Sequence, residues 1–201
     1  MPIKRVGIAG YMGAGKSSCV QFFDTDDTVI INADDEAKAL MQNDKNILDA
    51  LFAHFGDIIR LGNGIDSKSL GKIVFNSFSE LLYLNSIVHP PLIEYLKKLL
   101  FEKKYQSKIK KVILDAAIIP VWNIDNWFDL GIWVDTPREI RFCRLVEKYK
   151  GKISGDDLSK RMDFQEKLFS PPDDKVWCYI NNAGTIDETI GQMNGMLKKS
   201  I

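Results

Sequence analysis

Gly10-Tyr11-Met12-Gly13-Ala14-Gly15-Lys16-Ser17 satisfies the pattern G-x-x-x-x-G-K-[ST] at every position. Its surroundings make it the strongest constraint on the fold. It follows directly on Val6–Ala9, a short apolar run of the kind that forms a fully buried parallel strand. It leads directly into Ser17–Phe23, which reads as a helix. A strand, a glycine turn and a helix in that order make a phosphate cradle. The glycines let the backbone curl until successive N–H groups point inward, and the helix N-terminus adds partial positive charge. Gly10, Gly13, Ala14, Gly15, Lys16, Ser17 and Ser18 are therefore candidate nucleotide-binding residues. Lys16 is placed to reach the β and γ phosphates of ATP, the Ser17 hydroxyl to ligate Mg²⁺, and Ser18 to donate at the α phosphate.

Further apolar runs repeat the theme of a strand with a polar end. Val29–Ile31 ends at Asn32, Val112–Leu114 at Asp115, Ile132–Val134 at Asp135, and Val176–Ile180 at Asn181 and Asn182. Helical spacing fills much of what lies between. Ile47, Leu48, Leu51, Phe52 and Phe55 form one apolar series, Leu81, Leu84, Ile87 and Val88 another, and Leu92, Leu96, Leu99 and Leu100 continue it beyond Pro90 and Pro91. Gly62-Asn63-Gly64 reads as a loop, and Arg138–Lys175 as helix, mobile loop, helix. Strands alternating with helices predict a parallel sheet covered on both faces. Ligands of such sheets bind at the carboxyl ends of the strands, which draws attention to Asp34, Asp115, Asp135 and Asn182.

Composition narrows the function. Lys and Arg total 27, as do Asp and Glu, so the chain lacks the basic excess of a protein that lives on nucleic acid. No run of about 18 apolar residues suggests a membrane span, and the start of the chain does not read as a secretory signal. Cys19, Cys143 and Cys178 are odd in number and form no CxxC pair, which fits a reducing compartment. The expectation is a soluble, cytoplasmic protein with small-molecule partners, no nucleic acid and no membrane. A phosphate loop serves kinases, switches and motors alike. The chain has no Asn-Lys-x-Asp segment of a guanine-specific switch and no repeat or accessory domain of a motor. The loop by itself says NTP binding and does not single out a kinase.

Five segments in order sharpen this. Gly7–Ser18 is close to G-L-T-G-G-I-G-S-G-K-S-T, and Ile31–Ala37 to I-D-A-D-x-x-A. Asn63–Phe75 is set against D-G-x-I-D-R-x-x-L-G-x-I-V-F, and Leu84–Pro90 against L-N-x-I-x-H-P. Asn181–Gly184, after Arg161-x-x-x-Gln165, is similar to D-N-x-G. Together these resemble the dephospho-coenzyme A kinase family across nearly the whole chain. The resemblance implies an α/β P-loop kinase fold with a five-stranded parallel sheet, a helical acceptor-binding insertion and a lid. The expected division is a core of about residues 1–33, 111–140 and 176–201, an insertion of about 34–110 and a lid of about 141–175. The chain departs from the pattern at Asn32, which replaces the first Asp of D-A-D, and at Ala116–Val121, where a Glu is missing. A third departure is Lys167–Cys178, which is shortened and carries Pro171-Pro172.

The resemblance also assigns roles. Asp34 orients and deprotonates the acceptor hydroxyl, with a helix N-cap as the plainer reading. Arg138, Arg141, Arg144 and Arg161 are candidates to supply lid charge to the transferred phosphoryl group, with a solvated charged helix as the plainer reading; the resemblance favours Arg144, with Arg161 second. Asn182 lines the adenine, His89 belongs to the acceptor side, and Asp115 faces the magnesium or is a buried turn aspartate. The four tryptophans read mainly as core. Two alternatives remain open: a nucleoside or nucleotide kinase of the same fold, and a non-catalytic nucleotide-binding relative.

Overall fold

In a computed structural model of the chain, strand β1 (Lys4–Ala9) runs into the phosphate loop and then helix α1 (Lys16–Phe22). The structure describes residues 3–102, 105, 108–173 and 177–200, the side chains of 198–200 excepted. Val176, the expected start of the last strand, and Lys175, the expected end of the lid, lie outside the described residues. Strands β2 (Thr28–Asn32), β5 (Lys111–Asp115), β6 (Leu130–Asp135) and β7 (Trp177–Asn181) complete a sheet ordered β2-β5-β1-β6-β7. All four pairings are parallel. The chain leaves β1 for one edge of the sheet and later fills the other. β1 is thus the point where strand order reverses, the place where open α/β sheets bind ligands.

Two compact units make up the chain, Met1–Asn32 with Leu100–Ile201, and Ala33–Leu99. In the first, Val6, Ile8, Ile113, Ile132, Val134 and Ile180 cover one face of the sheet and pack with Cys19 and Phe23 near α1. Met193 and Met196 from α9 (Ile186–Ser200) join them. Each fully buried isoleucine contributes about 2 kcal/mol by leaving water. The short α6 (Ile119–Trp122) follows β5. Helices α7 (Arg138–Lys148) and α8 (Gly155–Leu168) enclose a small core of Leu145, Leu158 and Met162. The Ser154 side chain caps α8 by accepting from the Asp157 N–H at 3.1 Å. Trp122, Trp133 and Trp177 are core residues.

The second unit holds α2 (Ala33–Asn43), α3 (Lys45–Phe55), α4 (Ser67–Val74) and α5 (Phe78–Leu100, shared at its last residue with the first unit). Asp44 and Asp66 cap α3 and α4. The sequence differs from the structure at two points here. The expected loop at Gly62–Gly64 closes an antiparallel pair, β3 (Arg60–Leu61) and β4 (Gly64–Ile65). Gly62 takes a φ of 58°, which a two-residue hairpin turn requires. Helix α5 continues through Pro90 and Pro91. Two ladder hydrogen bonds are lost there, but Val88, Leu92 and Leu96 keep burying one side at intervals of four residues.

His89 lies on this helix, and burial pushes its imidazole down to about 4. An unfolded histidine titrates near 6.5. Between those values the unfolded chain takes up a proton that the folded chain refuses. Stability is therefore full above about pH 6.5 and falls as pH drops toward 4. From pH 7 to pH 5 this loss amounts to at most about 2 kcal/mol. Urea unfolding at both pH values should show a smaller drop for His89→Asn than for the native chain. Equal drops would mean that His89 does not carry the effect.

Candidate active site

The loop between β1 and α1 is held open by glycines in conformations other residues avoid. Gly13 and Gly15 have φ values of 78° and 86°. Gly15 forms the N-terminal boundary of α1. Lys16 folds back across the loop, with Nζ donating to the Gly10 carbonyl at 3.3 Å. Ser17, in the first turn of α1, is exposed.

The carbonyl of Ala14 fixes the loop from behind. It accepts from Thr136 Oγ1 at 3.0 Å, from Asn182 Nδ2 at 2.8 Å and from Arg144 Nη1 at 3.4 Å. In a trans peptide the carbonyl and the next N–H point in opposite directions. Anchoring the Ala14 carbonyl in the protein therefore turns the Gly15 N–H away from those anchors, toward the cradle. The anchors hold one another as well. Arg144 Nη2 donates to the Asn182 carbonyl at 2.8 Å, Thr189 Oγ1 to Asn182 Oδ1 at 2.8 Å, and the Asn182 N–H to the Asp135 carbonyl at 2.8 Å. Asn182 is buried, and its carboxamide is bonded to Ala14 and Thr189 at its two ends.

The carboxyl ends of β2, β5, β6 and β7 bring Asn32, Asp115, Asp135 and Asn181 to one edge of the sheet. Asp115 Oδ2 accepts from Asn32 Nδ2 at 3.1 Å. An aspartate at position 32 would set two carboxylates against each other there, so Asn32 replaces a repulsion with a hydrogen bond. Asp115 also lies close enough to the buried Cys19 to help burial push that thiol up to about 11. Asp34 sits inside the first turn of α2, with Asp35 and Glu36. The plainer reading of Asp34 as an N-cap is thereby corrected, because the helix begins at Ala33, directly after β2.

The arginines divide their work. Arg138 pairs with Asp163 and Glu166, and Arg141 pairs with the other oxygen of Glu166 at 2.6 Å. Arg141 is buried and also donates to the Thr136 carbonyl at 3.0 Å, so the solvated-face reading does not hold for it. Arg144 reaches the phosphate loop. Arg161 is half-buried on α8, where burial lowers its pKa. His89 belongs to the second unit, on α5. The sequence reading missed Thr136, Thr189 and Glu166. Thr136 had a usable signal, since it directly follows the polar end of β6.

The dephospho-CoA kinase family model matches residues 4–183. The chain belongs to the dephospho-CoA kinase family. A dephospho-CoA kinase of Geobacillus kaustophilus is 30% identical over 197 residues, covering 96% of this chain and 95% of that protein. One from Fusobacterium nucleatum is 31% identical over 175 residues, covering 81% and 88%. The solved dephospho-CoA kinase from Campylobacter jejuni covers 98% of this chain and 97% of its own, with a TM-score of 0.59 at 20% identity. The crystal structure of TT1252 from Thermus thermophilus covers 99% and 98%, with a TM-score of 0.70 at 20% identity. These two structural likenesses speak for the P-loop kinase fold. In this dephospho-CoA kinase family member, the Ala14 carbonyl ties the loop to β6, α7 and the segment after β7.

Proposed function

We propose that the chain transfers the γ-phosphoryl group of ATP to the ribose 3′-hydroxyl of dephospho-coenzyme A, giving ADP and coenzyme A. Membership of the dephospho-CoA kinase family over residues 4–183 carries this reading. The loop geometry supports it, because a glycine cradle with Lys16 folded across it suits a polyphosphate.

In this account Gly10, Gly13, Ala14, Gly15, Lys16, Ser17 and Ser18 hold the phosphates through backbone N–H groups, the Lys16 ammonium and hydroxyls. Arg144 adds charge beside the loop, and Arg161 reaches the nucleotide from α8. The carboxamide of Asn182, expected from the resemblance to line the adenine, is bonded to Ala14 and Thr189, so in this account Asn182 acts on the nucleotide by bracing Ala14. Asp34 orients the acceptor hydroxyl and takes its proton, and His89 shapes the acceptor side. Residues 34–110 serve as the acceptor-binding part and 141–175 as the lid.

The donor set also suits Mg²⁺. Ser17 and Asp115 offer hard oxygen atoms, and among the described residues no group of three or more His, Cys, Asp or Glu gathers into a metal cage. That fits an ion that draws most of its ligands from phosphates and water. When bound, Mg²⁺ neutralises charge on the β and γ phosphates. Ser17 would be its direct protein ligand and Asp115 an indirect one.

Among the described residues no helix is long and apolar enough to cross a membrane. The proposed enzyme is cytoplasmic and acts on small molecules, and its net charge of zero supports a reading without a nucleic-acid partner.

Asp34→Asn tests the acceptor chemistry. It should lower kcat by about 10²–10⁴-fold while KM for dephospho-coenzyme A moves much less. An unchanged kcat would remove the proton-accepting role. An acceptor screen against nucleosides and nucleotides, read by ADP production, tests the substrate. Higher kcat/KM on any of them than on dephospho-coenzyme A would overturn the reading.

A further inference from the structure

Where the family pattern of the phosphate loop reads G-G-I-G, this chain reads Gly10-Tyr11-Met12-Gly13. A large side chain, that of Tyr11, thus stands at a position that the pattern leaves bare. Its hydroxyl donates to the Phe169 carbonyl at 2.9 Å, just past the end of α8. Its ring lies 5.1 Å from the Phe169 ring and 5.2 Å, edge-on, from the Trp133 ring, while the Arg141 guanidinium lies 4.9 Å from its centroid. Tyr11 and Phe169 are remote in sequence and meet in space.

The neighbouring loop residue makes a second attachment to the same helix. The Met12 N–H donates to Gln165 Oε1 at 2.6 Å, and the Met12 side chain packs against the core of Leu145, Leu158 and Met162 between α7 and α8. Farther along, Tyr179 on β7 donates its hydroxyl to the Pro172 carbonyl at 2.6 Å. The segment Phe169–Pro172 is thus held by one tyrosine from the loop and another from the sheet edge. Burial, with Glu166 nearby, raises the Tyr11 pKa, so its hydroxyl remains a donor at neutral pH.

We infer that Tyr11 is a positioning residue that tethers the end of α8 to the phosphate loop and slows release of the nucleotide. Arg161 lies on α8 four residues before Gln165, on the same side of the helix. In the proposed site Arg161 serves the nucleotide from α8, so fixing the end of α8 would limit how far Arg161 swings away from it. The inference rests on the proposed nucleotide site but not on the identity of the acceptor.

The test compares Tyr11→Phe, which keeps the ring and loses the hydroxyl, with Tyr179→Phe and the native chain. Amide hydrogen exchange over residues 160–173 is measured without nucleotide, and the dissociation rate of ADP by stopped flow. Tyr11→Phe should speed exchange in this segment. It should also raise ADP dissociation and KM for ATP by about three- to tenfold, the range expected for one hydrogen bond, with kcat unchanged or higher. Tyr179→Phe should loosen the segment and leave ADP dissociation unchanged. Faster exchange or faster dissociation alone in Tyr11→Phe overturns the tether, as does equal acceleration of dissociation in both variants. A purely structural role would lower kcat and leave KM in place, and that result also overturns it. If the native chain binds ADP and makes no coenzyme A, the acceptor reading fails while the tether is still decided by these rates.

Discussion

Lys16→Ala is expected to lower turnover by about a thousandfold, the upper end of the range for losing one well-placed charge donor. Lys16 crosses the mouth of the loop to the Gly10 carbonyl, 3.3 Å away. Among the described residues no carboxylate forms an ion pair with it, so its charge is available to a phosphate. In phosphoryl transfer the negative charge spreads over the transferred group and the leaving oxygen, and a fixed ammonium stabilises it without reorganisation. An alanine leaves that charge to solvent and to the remaining loop N–H groups. Lys16 contributes little to the core, so thermal unfolding should be nearly unchanged. The check is steady-state ADP production together with a melting curve. Near-normal turnover would remove the phosphate loop from the mechanism.

Gly15→Ala should lower turnover by about a hundredfold, for a different reason. The residue sits at φ 86°, a conformation that costs an L side chain about 1–2 kcal/mol. The added methyl would overlap Asn182 Nδ2, the group that holds the Ala14 carbonyl. Relief requires Asn182 to move, and Asn182 is itself held by Thr189 and carries the Arg144 contact. The displaced loop would present its N–H groups out of register with the phosphates. A displacement of about 1 Å near reacting groups costs about a hundredfold in rate. Nucleotide affinity should fall along with turnover, which calorimetric titration with ADP measures. Unchanged ADP affinity in a folded Gly15→Ala protein would mean that the loop tolerates the methyl and that the Asn182 brace does not set its shape.

The elements of the sheet were legible in the sequence for a simple reason. A parallel strand buried on both faces must be apolar along its length and must end where ligands or turns need polar groups. Lys111–Asp115 and Leu130–Asp135 show this in their order of residues. The phosphate loop was legible because its chemistry is local: eight consecutive residues contain the turn, the lysine and the hydroxyl. What supports the loop was not legible. Asn182 braces Ala14 across 168 positions, and Tyr11 meets Phe169 across 158. Such pairs leave no periodicity behind, because neither partner shows where the other will fold. The arginines illustrate the same limit. Arg138, Arg141 and Arg144 look alike on one charged helix, and the carboxylates of Asp163 and Glu166 on α8 separate them. Helix α5 shows a case where tertiary burial outweighs a local rule, since Pro90 and Pro91 stand inside a helix that their neighbours keep packed.

The central claim is that ATP and dephospho-coenzyme A are converted together. The most direct measurement incubates the purified chain with ATP, Mg²⁺ and dephospho-coenzyme A and follows ADP and coenzyme A in the same samples. The account predicts that both appear at equal rates, and that omitting dephospho-coenzyme A abolishes ADP formation. ADP release that is independent of dephospho-coenzyme A, or bound ATP with no coenzyme A formed, would contradict it.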